Sequence, residues 1–345
     1  MLGVAASMIA AVGSATVATG QDRGLPVPAV SSGNASHDDG RRYEGYRFLD
    51  LEGQALPFQS DEDIEAFLAN AEIVETSALG TGITLPRLVV LQGDGFRARA
   101  IFKDVDISRH KVIERINGRD WFSLDWRDWH GYDEAAYLLD RLLGLDRVPP
   151  TVPREIAGDK GTIRIWLEGT VTELERSHDL HVEPPDIHRW NQQRLMMQIF
   201  DDLVANRDSN LGNLLIDPNW HAWFIDCTRC FGTTRAMYYP LAHIDFCERG
   251  LWDGLSSLDP EAVRQRLSPY LGKAEITALV ARHATIVRHF RKLIDERGED
   301  AVLFDIKPST QRAPWEEAPT ADVDETAGSI VPKSSSGSDF PIRSR

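Results

Sequence analysis

The sequence predicts an α+β fold in two lobes, a small lobe of strands with one helix and a larger helical lobe after it. Three observations predict it. Strand-like runs at 88–91, 97–103 and 162–167 crowd the first half of the chain, around a single amphipathic helix over 132–143 that Gly144 ends. Helical apolar spacing takes over at 194–204, 260–271 and 273–297, the last with Ile276, Leu279, Ile286, Val287, Phe290 and Leu293 in phase. A chain of 345 residues with 42% hydrophobic content is long enough to bury the core of such a pair of lobes as one functional unit.

In chain order, residues 1–20 are apolar, rich in Ala, Gly and Val, and carry no charge. Ala18 and Gly20 supply the small residues that a signal peptidase requires, so export with a mature start near Gln21 is expected, although the positive start of a signal peptide is missing. An uncleaved membrane anchor and cytoplasmic residence are the competing readings. Residues 21–42 are rich in Gly, Ser, Pro and Asp and read as a flexible linker. Residues 307–345 share that character and have too few apolar side chains to offset the entropy of ordering, so they read as a disordered tail.

Between these ends, Ser60 with Asp63 three residues on is a capping box that starts a short helix. Gly80 and Gly82, just before the strand at 88–91, place backbone amides where they cover phosphates, an ordinary turn being the alternative. The strand at 97–103 ends in Lys103, the first lysine of a chain that prefers arginine, and its point-charge amine suits the α/β-phosphates of a nucleotide. Its expected carboxylate partner is Glu134 in the first turn of the following helix, with Glu114 in the run 111–115 as competitor. The strand at 162–167 runs into a polar break at Glu168 and Gly169, where backbone groups meet a base.

The segment 206–213, Asn-Arg-Asp-Ser-Asn-Leu-Gly-Asn, is polar and turn-prone and follows a helix. It sets Asn213 five residues after Asp208. The runs 214–216 and 223–225 flank Asp217-Pro218-Asn219 as a hairpin whose return strand delivers Asp226 beside that loop. One carboxylate, one amide and a second carboxylate in this spacing are what phosphoryl transfer to a hydroxyl needs: Asp208 to take the acceptor proton, Asn213 and Asp226 to hold the Mg²⁺ or Mn²⁺ that bridges the phosphates.

Phe102-Lys103, the helix from Glu134 to Gly144, Arg147-Val148-Pro149-Pro150, Asn206 with Asp208, and Ile225-Asp226 with Arg229, Phe231 and Gly232 resemble the secretory-pathway kinases of the Golgi casein kinase and four-jointed group. The resemblance covers about residues 75–235, and the helix with its Val-Pro-Pro segment is its specific part. The Asp-plus-five Asn is also similar to HipA-type and phosphatidylinositol 3/4-kinases, within one clan of atypical kinases. The resemblance implies a protein-kinase-like two-lobed fold, with an N-lobe over 43–169 and a C-lobe over 170–306. It also implies transfer of the ATP γ-phosphoryl group to a hydroxyl of protein Ser/Thr or a sugar. In that reading Lys103 positions phosphates and Glu134 fixes Lys103, while Gly80, Gly82 and Glu168 border the ATP.

Two departures qualify it. Asn210 stands where many relatives carry a Lys or His two residues past the catalytic Asp, and Arg229 is the preferred substitute cation over Arg207. Only Cys227, Cys230 and Cys247 occur, so the disulfide framework of the animal enzymes is missing, and the Cys227–Cys230 spacing reads as coincidence of buried thiols. His178, His181 and His188 read as a surface loop and helix start rather than as a metal site. The net charge of −15 argues against nucleic acid or an anionic membrane as a general partner. A catalytically inactive kinase-like scaffold that binds nucleotide or a partner protein is the alternative function.

Overall fold

A computed structural model describes residues 42–79, 86–116 and 119–317. Gly80 and Gly82, the leader and linker before residue 42, and the tail from residue 318 lie outside the described residues.

The small lobe opens on helix α1 (Asp61–Asn70), where Ser60 and Asp63 form the reciprocal capping box. Strands β1 (Glu72–Ala78), β2 (Arg87–Gly93) and β3 (Phe96–Lys103) follow as an antiparallel meander. A long hairpin of β4 (Asp106–Ile116) and β5 (Arg119–Trp129) then leaves the sheet. Glu114 sits on β4, opposite Trp121, and so belongs to a strand of this hairpin. Helix α2 (Gly131–Leu143) returns the chain, and β6 (Thr151–Ile156) and β7 (Asp159–Ile165) complete a five-stranded sheet in the order β1-β2-β3-β7-β6.

The large lobe is helical. Helix α3 (Ile187–Val204), capped by Asp186, leads into the polar loop, and β8 (Val171–Thr172), β9 (Leu214–Ile216) and β10 (Ala222–Phe224) form a small antiparallel sheet beside it. Helices α4 (Arg249–Ser257), α5 (Pro260–Leu267) and α6 (Lys273–Arg297) close the lobe. Pro260 takes the first turn of α5, where its missing N–H costs nothing, behind the Asp259 cap. No helix among the described residues is long and apolar enough to cross a membrane.

Each lobe has its own apolar core, and α2 belongs to that of the large lobe, with Tyr132, Ala135, Ala136, Leu139 and Leu143 buried there. Trp223 on β10 is fully buried in the other core, against Tyr43, Tyr46 and Phe48. The entry segment is also held by charge: the Glu44 carboxylate pairs with Arg189 and, at 2.8 Å, with Arg147.

The expected tail begins too early. Ala313 donates its N–H to the Pro218 carbonyl at 2.8 Å, the Lys307 carbonyl accepts from Arg189 at 2.7 Å, and Trp315 packs edge-on against Trp220. Three anchors widely spaced along 307–315 suffice to order a segment whose composition is polar, which composition alone does not reveal.

Candidate active site

Lys103 reaches the cleft because β3 lies against β7 with Lys103 opposite Thr162. Gly161 permits that approach, since a Cβ there would overlap the Lys103 carbonyl and the Phe102 ring. The ammonium sits between two carboxylates, 2.8 Å from Asp133 Oδ2 and 2.7 Å from Asp226 Oδ1. Burial works against its charge, but the two aspartates prevail and raise its pKa above the ordinary lysine value. Lys103 in turn holds the Asp226 carboxyl below its usual range.

The helix partner of Lys103 is therefore Asp133, not Glu134. One residue along an α-helix is a rotation of about 100°, so the two neighbours cannot face the same groove. Asp133 faces the cleft and accepts the Cys227 N–H at 2.6 Å on its other oxygen. Glu134 points toward the large lobe, where the Tyr270 hydroxyl donates to it, and burial pushes its carboxyl up to about 8. The missed signal was the stripe Asp133, Ala136 and Asp140 at i, i+3 and i+7. Asp133 and Ala136 line the cleft, and Asp140 accepts the N–H groups of Arg147 and Val148. Those two bonds shape the Arg-Val-Pro-Pro segment that enters β6.

The polar loop is built on Asp201 of α3. Its carboxylate accepts from the Asn206 side chain at 2.8 Å and the Ser209 hydroxyl at 2.6 Å, and burial raises its pKa to about 7. Asn206 Oδ1 then accepts the Asp208 N–H at 3.0 Å. The Asn213 amide donates to the Asp208 carbonyl at 2.8 Å, which leaves its Oδ1 as a free acceptor type. The Asn213 carbonyl accepts the Ile225 N–H at 3.1 Å, so Asn213 and Asp226 stand side by side on the cleft wall. Two hard oxygen donors from separate elements, with water and phosphate completing the shell, fit Mg²⁺ or Mn²⁺.

Asp226 adopts a left-handed turn, φ 64°, and the chain then folds tightly through Phe231. Cys227 and Cys230 are joined by a disulfide rather than being free thiols. The CxxC spacing closes here because the Cys230 N–H turns back onto the Cys227 carbonyl at 2.9 Å. Arg229, on the tip of this turn, spans Asp128 Oδ2 at 2.8 Å and Asp208 Oδ2 at 2.9 Å. Burial opposes its charge, but Asp128, Asp208 and Asp226 outweigh burial and raise its pKa. Asn210 instead caps the loop: its side chain accepts the Gly212 N–H at 2.8 Å and donates to Asp208 Oδ1 at 3.1 Å.

Glu168 is committed elsewhere. Its carboxylate binds Arg99 twice, at 2.7 and 2.5 Å, and its carbonyl accepts the Tyr46 hydroxyl at 3.0 Å. The periodicity of the strand-to-loop break does not disclose that Arg99, on β3 four strands earlier in the chain, claims its carboxylate.

Lys103, Asp133 and Asp226 from three elements, with Asn213 and Asp208 from the polar loop, thus converge at the junction of the lobes. A hydra Fam20 protein solved with a sugar is similar over 72% of this chain and 94% of its own, with a TM-score of 0.54 and 18% identity. The chain has a protein-kinase-like fold. The Golgi casein kinase (TM-score 0.49, 16% identity, 71% of this chain and 79% of that one) is similar too. So is the Helicobacter pylori proinflammatory kinase CtkA (TM-score 0.45, 14% identity, 67% and 98%). No family model matches the chain, and no curated protein sequence matches it. At such identities the likeness is one of fold, and the chemistry of the cleft rests on its own side chains.

Proposed function

We propose that the protein is an ATP-dependent kinase that transfers the γ-phosphoryl group to a hydroxyl acceptor. The observation that carries this is the double contact of Lys103 with Asp133 and Asp226, beside the Asn213 amide and within one turn of Asp208. Asp226 and Asn213 would hold the Mg²⁺ or Mn²⁺, which would supply neutralisation of the phosphate charge. Lys103, fixed by Asp133, anchors the phosphates. Asp208 orients the acceptor hydroxyl and takes its proton as the new O–P bond forms and ADP leaves. Arg229 holds the Asp208 carboxylate in place and supplies the cation that Asn210 does not.

A sugar or a protein Ser/Thr is the acceptor in this reading; the sugar finds support in the hydra neighbour solved with one. Export of the chain is part of the proposal, and the Cys227–Cys230 disulfide suits an oxidising compartment. The test is thermal-shift titration with ATP and Mn²⁺ or Mg²⁺, followed by transfer of radiolabel from γ-labelled ATP. Stabilisation with transfer is expected. Stabilisation without transfer to any glycan or protein acceptor would make the chain an inactive nucleotide-binding scaffold, and no stabilisation by either metal–nucleotide pair would overturn the kinase reading.

A further inference from the structure

We infer that Arg164 is a further nucleotide-contacting residue, a second fixed cation for the phosphates beside Lys103. The inference rests on the kinase reading and adds to it a residue that neither the motifs nor the loop geometry brings out. Arg164 lies on β7, two residues beyond Thr162, the residue opposite Lys103, and strand alternation therefore turns Arg164 to the same face. Its side chain lines the cleft with Asp133, Asn213 and Asp226.

What sets it apart is its lack of partners. Asp133 spends one oxygen on Lys103 and the other on the Cys227 N–H, and Asp226 gives Oδ1 to Lys103. Arg164 makes no hydrogen bond or ion pair with any described residue, and its Nε is buried without an acceptor. A guanidinium has five donors in a planar fork. Left unsatisfied beside a cleft, that fork is costly for the free protein, and the cost falls when an anion with several acceptor oxygens enters. Burial pushes the Arg164 pKa down and the two aspartates close by work against that, while Lys103 already takes one oxygen of each, so the fork that lines the cleft has room for an incoming anion. A metal–triphosphate remains anionic after the metal is bound, and a bidentate donor is the chemistry that suits it.

The experiment is calorimetric titration of Mn²⁺–ATP into the full chain and its Arg164→Gln and Arg164→Lys variants at two salt concentrations, with the melting temperature of each unliganded protein. Loss of one charge-assisted contact is expected to raise Kd about tenfold or more in R164Q. The salt dependence of Kd should become shallower in R164Q but hold the wild-type slope in R164K, which keeps the charge and loses the fork, and the unliganded melting temperature of R164Q should stay level or rise. A merely structural arginine would instead lower that melting temperature. Unchanged affinity in R164Q, or a salt dependence in R164Q as steep as that of the wild type, would overturn the assignment while leaving the kinase reading intact. A wild-type chain that binds no Mn²⁺–ATP would overturn both.

Discussion

Arg229 Nη1 lies 2.9 Å from Asp208 Oδ2, while its Nε holds the buried Asp128 at 2.8 Å. The guanidinium thus ties the acceptor-facing aspartate to the base of the β4–β5 hairpin, from a turn that begins at the metal-facing Asp226. An arginine so placed has two duties in the proposed reaction: it fixes the Asp208 rotamer and it places positive charge near the transferring group.

Arg229→Ala should therefore lower transfer at saturating ATP by about a hundredfold or more, with the affinity for Mn²⁺–ATP changed by less than about threefold. Steady-state kinetics beside calorimetry separate the two quantities. Arg207→Ala serves as the comparison, since that guanidinium packs over Gly232. A larger loss of turnover from Arg207→Ala than from Arg229→Ala would reverse the assignment.

Asp133 and Glu134 offer a sharper test because they are neighbours with opposite surroundings. Asp133→Asn should weaken Mn²⁺–ATP binding, since the amide has no charge to pair with Lys103 and its single oxygen cannot serve both Lys103 and the Cys227 N–H. Glu134→Gln should leave binding unchanged. Its carboxyl is raised to about 8 by burial, against about 4.5 in the unfolded chain, so the folded state holds a proton that the unfolded state releases. Stability from this group is full below pH 4.5 and is lost as pH rises through 8. The glutamine variant should show a flatter melting profile between those values and melt higher than wild type at pH 8. Identical profiles for the two proteins would mean that Glu134 ionises normally.

These two pairs also show how far the sequence can be read. The loop from Asn206 to Asn213 and the hairpin that delivers Asp226 are local, so turn residues and spacing disclosed them. The capping box at Ser60 and the span of α6 follow the same logic. Asp133 was adjacent to the residue chosen, and its role depends on which helix face meets β3, a tertiary fact that 3.6-residue periodicity narrows only to a side. Glu168 was lost to Arg99, and residues 307–317 were ordered by Pro218, Arg189 and Trp220, through contacts between residues distant in sequence. The Cys227–Cys230 bond needed the tight turn that brings the Cys230 N–H back to the Cys227 carbonyl, which no composition argument supplies.

Acid should loosen the entry segment. Burial alone would raise the Glu44 carboxyl, but His221, Arg147 and Arg189 hold it down to about 2, against 4.5 in the unfolded chain. Its contribution is present above pH 4.5 and disappears as pH falls toward 2; the difference corresponds to roughly 3 kcal/mol. Glu44→Gln should lower the melting temperature at pH 7 and reduce its fall between pH 5 and pH 2. A variant with the wild-type acid profile would show that Arg147 and Arg189 are satisfied without Glu44.

The last prediction concerns the disulfide. A cross-link across four residues constrains the unfolded chain only slightly, by roughly 2 kcal/mol in the loop-entropy account, so global stability is not where Cys227–Cys230 acts most. It sits between Asp226 and the turn tip, and the N–H of Cys227 is the group that Asp133 accepts. Cys227→Ser with Cys230→Ser should cost only a few degrees of melting temperature, but it should free Arg229 and Asp226 to move independently. The expected outcome is a larger loss in transfer than in nucleotide affinity, because Asp226 keeps its own ion pair with Lys103, whereas the reach of Arg229 to Asp208 depends on the turn as well as on its ion pair with Asp128. Mild reduction of the wild type should reproduce the pattern, and reoxidation should reverse it. If the double variant transfers phosphate at the wild-type rate, the hydrogen bonds from Trp129 to Thr228 and from Phe231 to Val204 suffice to hold the turn, and the disulfide has no part in aligning the site.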